Sequence, residues 1–219
     1  FYLDALLHSA MRPGDPTWLH YKHEEVQGEL VRYYRKENET SNILIIGGGG
    51  YTLPRWIDVL LPDVRVEVVE IDPAVTKMAF KHLHEIDYKD SKQTRIVAHH
   101  LDGRQFIREK ATQGSYQLVM QDAVNDLSVP THLMTREYNQ AVKKTLKPEG
   151  AYLLTIIETV EEGLLWRSAV KTLREDFKYV ELLYSHPFAE NLSGRDVYVI
   201  YASDTPLDFN RLRTEVQKP

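Results

Sequence analysis

Hydrophobic and polar positions fall into two kinds of block along the chain. One kind is a short apolar run without polar breaks; the other repeats apolar residues every three or four positions. Residues 43–46 (Ile-Leu-Ile-Ile) are a run of the first kind, as expected of a strand covered on both faces of a parallel sheet. Mostly apolar runs at 66–71, 95–98, 116–120 and 151–157, each with one or two polar residues, predict four more strands. Helical spacing lies between them. Thr52, Pro54, Trp56, Ile57, Leu60 and Leu61 open a helix with proline in its first turn. Asp72-Pro73 is a cap followed by a first-turn proline and predicts a helix to about Glu85. Further helices are predicted from Gly103 to about Ala111, over 133–146 with a stop at Pro148 and Gly150, and over 160–177. Ahead of the first strand, 23–36 carries Val26, Leu30, Val31 and Tyr34 on one helical face.

Residues 179–184 and 197–202 read as two consecutive strands closing in a hairpin. Five strands alternating with helices and then such a pair predict an α/β fold, a doubly wound, mostly parallel seven-stranded sheet of Rossmann-like plan. The expected division is an N-terminal segment with its helix at 1–41, a nucleoside-cofactor-binding catalytic domain at 42–203, and a polar, loosely attached tail at 204–219. A short apolar stretch at 1–7 and a turn cluster at 12–16 precede the first helix.

The first strand runs into Gly47-Gly48-Gly49-Gly50, which removes every side chain where the backbone must turn and a ligand could approach main-chain N–H groups. The second strand ends at Glu70, where a βαβ unit hydrogen-bonds ribose hydroxyls. Thr52 stands where a dinucleotide fingerprint needs a third small residue, and no lysine follows the glycines as in a Walker loop. A glycine turn and a ribose acid without a pyrophosphate cradle fit S-adenosylmethionine or a close relative; a ligand-free tight turn is the plainer alternative. Ligands in such sheets sit beyond the carboxyl ends of the strands, and Glu70, Asp102 and Asp122 all fall there.

Composition narrows the partners. The formal net charge is −5 and no stretch is rich in lysine or arginine, which argues against nucleic acid. The absence of cysteine excludes disulfides, thiolate metal sites and cysteine catalysis. His82 and His84 diverge on a helix and His99-His100 reads as surface or packing, so no metal is expected. With no signal peptide and no membrane-length apolar run, a soluble cytoplasmic domain without membrane contact is expected, although a first residue other than Met allows a longer, even membrane-attached parent. The sequon at 191–193 means nothing without a secretory context.

In order and spacing, glycines 47–50, Val69-Glu70-Ile71-Asp72, Asp102-Gly103 with Phe106, the Asp122 loop, the Lys147-Pro148-Glu149-Gly150 turn and Ser193-Gly194 resemble the catalytic domain of the spermidine/spermine synthases. Leu3-Asp4-Ala5-Leu6 and Tyr21–Glu24 resemble the lead-in to that domain; the likeness covers roughly 3–202, without the family's N-terminal hairpin region. The resemblance implies a class I methyltransferase fold and transfer of an aminopropyl group from decarboxylated S-adenosylmethionine to a small, putrescine-like amine, with no metal and a possible homodimer. It implies that Gly47, Gly48 and Gly49 pass beside the cofactor's tail, that Glu70, with Ile71 beside it, holds the ribose, and that Asp102 and Gly103 meet the adenine. Asp122 would be the catalytic carboxylate beside the sulfonium, with Asp126 as its companion.

Two positions depart from the family pattern. Gly50 and Tyr51 stand where an aspartate usually grips the amine, and Asp122 and Asp126 are one residue further apart than usual. Tyr51 and Glu158 therefore become candidates for the acceptor site, and Trp18 and Tyr21 either wall a pocket or pack. Asp102 is either a ligand contact or only a helix cap, Asp72 reads as a cap, and Asp126 is a catalytic or an ordinary loop acid. The alternatives are methyl transfer from S-adenosylmethionine itself, with Arg55 the nearest cation to the glycine loop, and a non-catalytic nucleoside-binding module.

Overall fold

In the computed structural model, residues 2–216 are described except 4, 5, 8, 13, 37, 38, 84–93, 125–128, 160, 162 and 185–193. The chain runs through a short hairpin, β1 (Tyr2–Leu3) and β2 (Leu6–Leu7), to helix α1 (Lys22–Tyr34). Then β3 (Ser41–Ile46), α2 (Thr52–Leu60), β4 (Val64–Val69), α3 (Pro73–Met78), β5 (Val97–His99), α4 (Gly103–Glu109), β6 (Tyr116–Gln121), α5 (Arg136–Thr145) and β7 (Leu146–Thr159) alternate strand and helix. Helix α6 (Leu164–Arg174), strands β8 (Tyr179–Leu183) and β9 (Arg195–Ser203), and helix α7 (Phe209–Val216) complete it. The large sheet is ordered β5-β4-β3-β6-β7-β9-β8, parallel from β5 to β7 and antiparallel at β9 and β8. This is the predicted seven-stranded, doubly wound sheet with a terminal hairpin, in which β9 inserts between β7 and β8.

The unbroken apolar runs follow from burial of both sheet faces. Ile43 and Ile45 of β3 point to one layer with Val66, Val68, Leu118 and Met120, covered by α1 and α2 through Leu30, Val31, Trp56 and Ile57. Leu44 and Ile46 point to the other, with Val119, Tyr152 and Leu154, covered by Phe106, Tyr138, Val142 and Leu173 from α4, α5 and α6. Strand order reverses between β3 and β6, so the loops after these two strands face each other at the carboxyl edge.

Several boundaries move. Helix α5 stops at Thr145, before Pro148, because Leu146 is already extended (φ −73°, ψ 144°), and Lys147–Gly150 belong to β7 instead of ending the helix. The helix opened by Asp72 becomes a π-helical turn over Ala79–Leu83. The segment from Asp204, expected to hang loosely, is docked: Leu207 is buried in the core and Leu212 packs against it. Arg211 donates to the Tyr33 carbonyl at 2.7 Å and lies 4.3 Å over the Tyr33 ring. Leu207→Ala is therefore expected to cost about 2 kcal/mol, the usual scale for a buried leucine. Chemical denaturation would check this, and a loss below a few tenths would mean that the segment is not part of the core. Among the described residues no helix is long and apolar enough to cross a membrane.

Candidate active site at the switch in strand order

The glycine loop turns on three left-handed residues, Gly47 (φ 98°), Gly49 (φ 49°) and Tyr51 (φ 57°). At Gly47 a β-carbon would come within 2.8 Å of the Asp122 carbonyl and of Ala123 N, so glycine lets the loops after β3 and β6 meet backbone to backbone. Asp122 N–H donates to the Ile46 carbonyl (2.8 Å) and Gly47 N–H to that of Val69 (2.9 Å), tying both loops to the sheet end. Glu70, just past β4 and 8% exposed, fastens the glycines: Oε2 accepts from Gly48 N (2.8 Å) and Gly49 N (3.3 Å), and Oε1 from Asp72 N (3.0 Å).

Beside these loops lies a cavity of about 760 Å³, a volume suited to a nucleoside-sized ligand. Gly47, Gly49, Glu70, Asp102, Gly103 and Asp122 line it together. Its described lining holds four carboxylates, those of Glu70, Asp72, Asp102 and Asp122, and neither lysine nor arginine. Apolar surface comes from Val75, Leu101 and Val129, and from Ile71, whose side chain is 68% exposed at the rim and not buried in a strand. Gly103 sits close under Ile46, where an added β-carbon would meet Cγ2 at 2.5 Å.

Asp102 both caps α4 and lines the cavity. Oδ1 accepts from Gln105 N (3.0 Å), and Oδ2 pairs with His132 Nε2 at 2.8 Å. Burial would raise its pKa, yet the His132 contact and the backbone donors outweigh it and hold the carboxyl below its ordinary value. His132 had no mark in the sequence; a 3-10 turn at Thr131–Leu133 delivers it.

At the mouth, His23 Nε2 lies 3.6 Å from Asp122 Oδ2. This histidine, on the first turn of α1, is the second residue the sequence did not single out. Its neighbour Glu24 is buried and accepts from the Thr52 hydroxyl, and burial raises its carboxyl above the ordinary range. Burial alone would lower the His23 pKa, but the contact and charge of Asp122, with the charges of Glu24 and Asp196, leave it above the usual histidine value. A folded-state pKa raised above the unfolded one gives stability fully present below about pH 6.5 and lost as pH rises through the folded value. His23→Gln is therefore expected to lower the melting temperature more at about pH 5.5 than at about pH 9. Equal losses in paired thermal melts would remove the ion pair from the account.

The acceptor-side candidates are held elsewhere. Tyr51, which the sequence leaves between a pocket wall and packing, is fully buried, its hydroxyl 2.7 Å from Thr76 Oγ1 and its ring edge-on to Phe80, because its left-handed backbone turns the side chain into the core. Glu158 accepts from Leu165 N (3.2 Å) and Trp166 N (2.9 Å) and so caps α6. Arg55 is fully buried on α2 and does not line the cavity. Trp18 and Tyr21 join a run of tilted rings through His20 to His23. Asp126, His84, Ser193 and the sequon at 191–193 lie outside the described residues.

Comparison with known proteins adds the lineage. The family model for the spermine/spermidine synthase domain matches residues 28–200. A polyamine aminopropyltransferase of Vibrio vulnificus is 34% identical over 118 residues, which are 53% of this chain and 38% of that protein. The chain spans about half or less of the length of the curated relatives it matches. Among solved structures, a probable spermidine synthase from Corynebacterium glutamicum superposes with TM-score 0.80 at 19% identity, over 94% of this chain and 72% of that one. Human methyltransferase-like protein 13, in complex with SAH, gives 0.71 at 21%, over 91% and 94%. Those two likenesses establish the fold. Since the family match runs from α1 to β9 through the glycine loop, Glu70, Asp102 and Asp122, the chain belongs to the spermine/spermidine synthase family.

Proposed function

We propose that the chain transfers an aminopropyl group from decarboxylated S-adenosylmethionine to a small, putrescine-like amine. The observation that carries this reading is the sign of the cavity: among the described residues four carboxylates line it and no lysine or arginine does. A cofactor that kept its amino-acid carboxylate would have to bury that charge among acids, at a cost no lysine or arginine among the described lining residues offsets. Arg55, the nearest basic residue to the loop in sequence, is sequestered under α2 and does not supply one. A ligand carrying a sulfonium and an amine, with no carboxylate, suits such a lining. The relative in Vibrio vulnificus is named for this reaction class.

Fit can be tested on Glu70. An ionised carboxylate has about four acceptor sites, and three backbone N–H groups use three of them. One ribose hydroxyl would then be received at Oε1, and a second would need release of the 3.3 Å bond from Gly49 N, the longest of the three. Asp102 and Gly103, across the cavity, meet the base. When bound, the decarboxylated cofactor supplies an electrophilic aminopropyl carbon on a sulfonium whose sulfur leaves as a neutral thioether.

The protein's own part is to hold the acceptor and take its proton. An alkylamine with a pKa of about 10 is mostly protonated near neutral pH and unreactive until neutral. Asp122, at the loop end beside Gly47, orients the amine and accepts the proton it loses as the C–N bond forms. His23, facing Asp122 Oδ2, restrains that carboxylate. Holding amine and sulfonium in line contributes much of the remaining rate. Incubation with decarboxylated S-adenosylmethionine and a panel of diamines and polyamines, read by mass spectrometry, tests the proposal. Aminopropylated product with at least one amine is expected; methylated product from S-adenosylmethionine, or no product with any amine, would overturn it.

A further inference from the structure

A second cavity opens at the opposite, amino-terminal edge of the sheet, far from the glycine loop, with a volume of about 430 Å³. It lies between the end of α1, the start of β7 and the docked C-terminal segment, and Lys36, Lys147 and Arg211 face it from those three elements. Glu149 is its one acid, 3.6 Å from Lys36 Nζ across the rim. Lys147 makes no ion pair among the described residues. The excess positive charge stands out in a chain whose net charge is −5 and whose other cavity is lined by four carboxylates.

The floor gives an independent indication. Gln117, near the start of β6, lines the cavity and is 2% exposed. Its Oε1 accepts from Asn42 N at 2.7 Å, which fixes the orientation of the amide, and its Nε2 has no acceptor among the described residues. A buried amide N–H without a partner is disfavoured unless something completes it. Tyr33 and Tyr34 form the aromatic wall, and Arg211 is held over the Tyr33 ring. Cations on three sides and an aromatic wall suit an oxyanion, and the Gln117 amide N–H lies closed to solvent behind that lining.

We propose that this cavity is a binding site for a small multivalent organic anion, bearing phosphate or carboxylate groups, separate from the cofactor site. Lys36 and Lys147 meet its charge at the rim, with Arg211 on the third side. Because the C-terminal segment supplies Arg211 and Thr205, the site exists only with that segment docked. The class is the opposite in charge to the ligands of the first cavity, so neither ligand competes at the other site.

Calorimetric titration of the full chain with inorganic pyrophosphate and, separately, with citrate, in metal-free buffer at low salt, tests this. Saturable binding of at least one probe with Kd below about 1 mM is expected. Replacing the rim cations together (Lys36→Glu and Lys147→Glu) should weaken it about tenfold or more, with an unchanged melting curve reporting an intact fold. Binding of pyrophosphate alone assigns a phosphate ligand, and of citrate alone a carboxylate one. In the unmodified protein the Gln117 side-chain amide resonances should move with the same saturation curve. No saturable binding of either probe, equal binding by the doubly substituted protein, or an unmoved Gln117 amide would overturn the proposal.

Discussion

Asp122→Asn is expected to lower turnover about 100-fold or more while leaving affinity for the cofactor nearly unchanged. The carboxylate stands at the end of β6, with its backbone N–H fixed to Ile46 and its carbonyl packed under Gly47. Asparagine keeps the size, so the loop contact with Gly47 persists, but the amide cannot take the proton that the amine must lose. His23 sharpens the expectation: beside asparagine it loses its ion-pair partner at 3.6 Å, and its raised pKa should return toward the ordinary value. Single-turnover rates and calorimetric affinities measured on the same preparation separate the two effects. Equal losses in both would make Asp122 a structural residue of the loop.

Glu70→Gln is expected to weaken cofactor binding by up to about 3 kcal/mol, roughly 100-fold, with little change in the rate of the bound complex. Two effects add. Loss of charge weakens hydrogen bonds to ribose, and it also loosens the grip on Gly48, Gly49 and Asp72, which a carboxylate serves through two acceptor oxygens but an amide through one. The second effect gives a signature: hydrogen exchange at the Gly48 and Gly49 amides should quicken in the ligand-free variant. An unchanged affinity would remove Glu70 from the ribose site, and unchanged exchange would show that its backbone contacts do not hold the loop.

Much of the sheet was legible because both of its faces are covered. From Ile43 to Ile46 strand β3 has no polar position to hide, so its run announces itself, and the glycines that follow mark the turn. Glu70, Asp102 and Asp122 could be grouped from the sequence because each follows an apolar run in a parallel sheet whose carboxyl ends share one edge; the structure brings all three to one cavity. What was illegible depends on tertiary approach. His23 precedes the whole sheet and reaches Asp122 only because α1 packs beside β6 and β7, and His132 reaches Asp102 from a turn without periodicity. Tyr51 stayed open between a pocket wall and packing because nothing in its neighbours signals a left-handed residue outside glycine. Its inward ring follows from that backbone.

The segment after Asp204 misled for a different reason. Its charged residues look like solvated surface, yet Arg211 lies along Tyr33 while Leu207 fills the core, an arrangement in which a long cation covers apolar surface and keeps its head group polar. Composition averages over such positions and so misses them. The same docking supplies one wall of the cationic cavity, which no local motif foreshadowed.

The most direct test of the central claim is a side-by-side calorimetric titration with S-adenosylmethionine and its decarboxylated form. A cavity whose described lining holds four carboxylates and neither lysine nor arginine predicts that the decarboxylated ligand binds at least about tenfold tighter, a difference of about 1.4 kcal/mol. Equal or tighter binding of S-adenosylmethionine would contradict the account and place a carboxylate partner in the site.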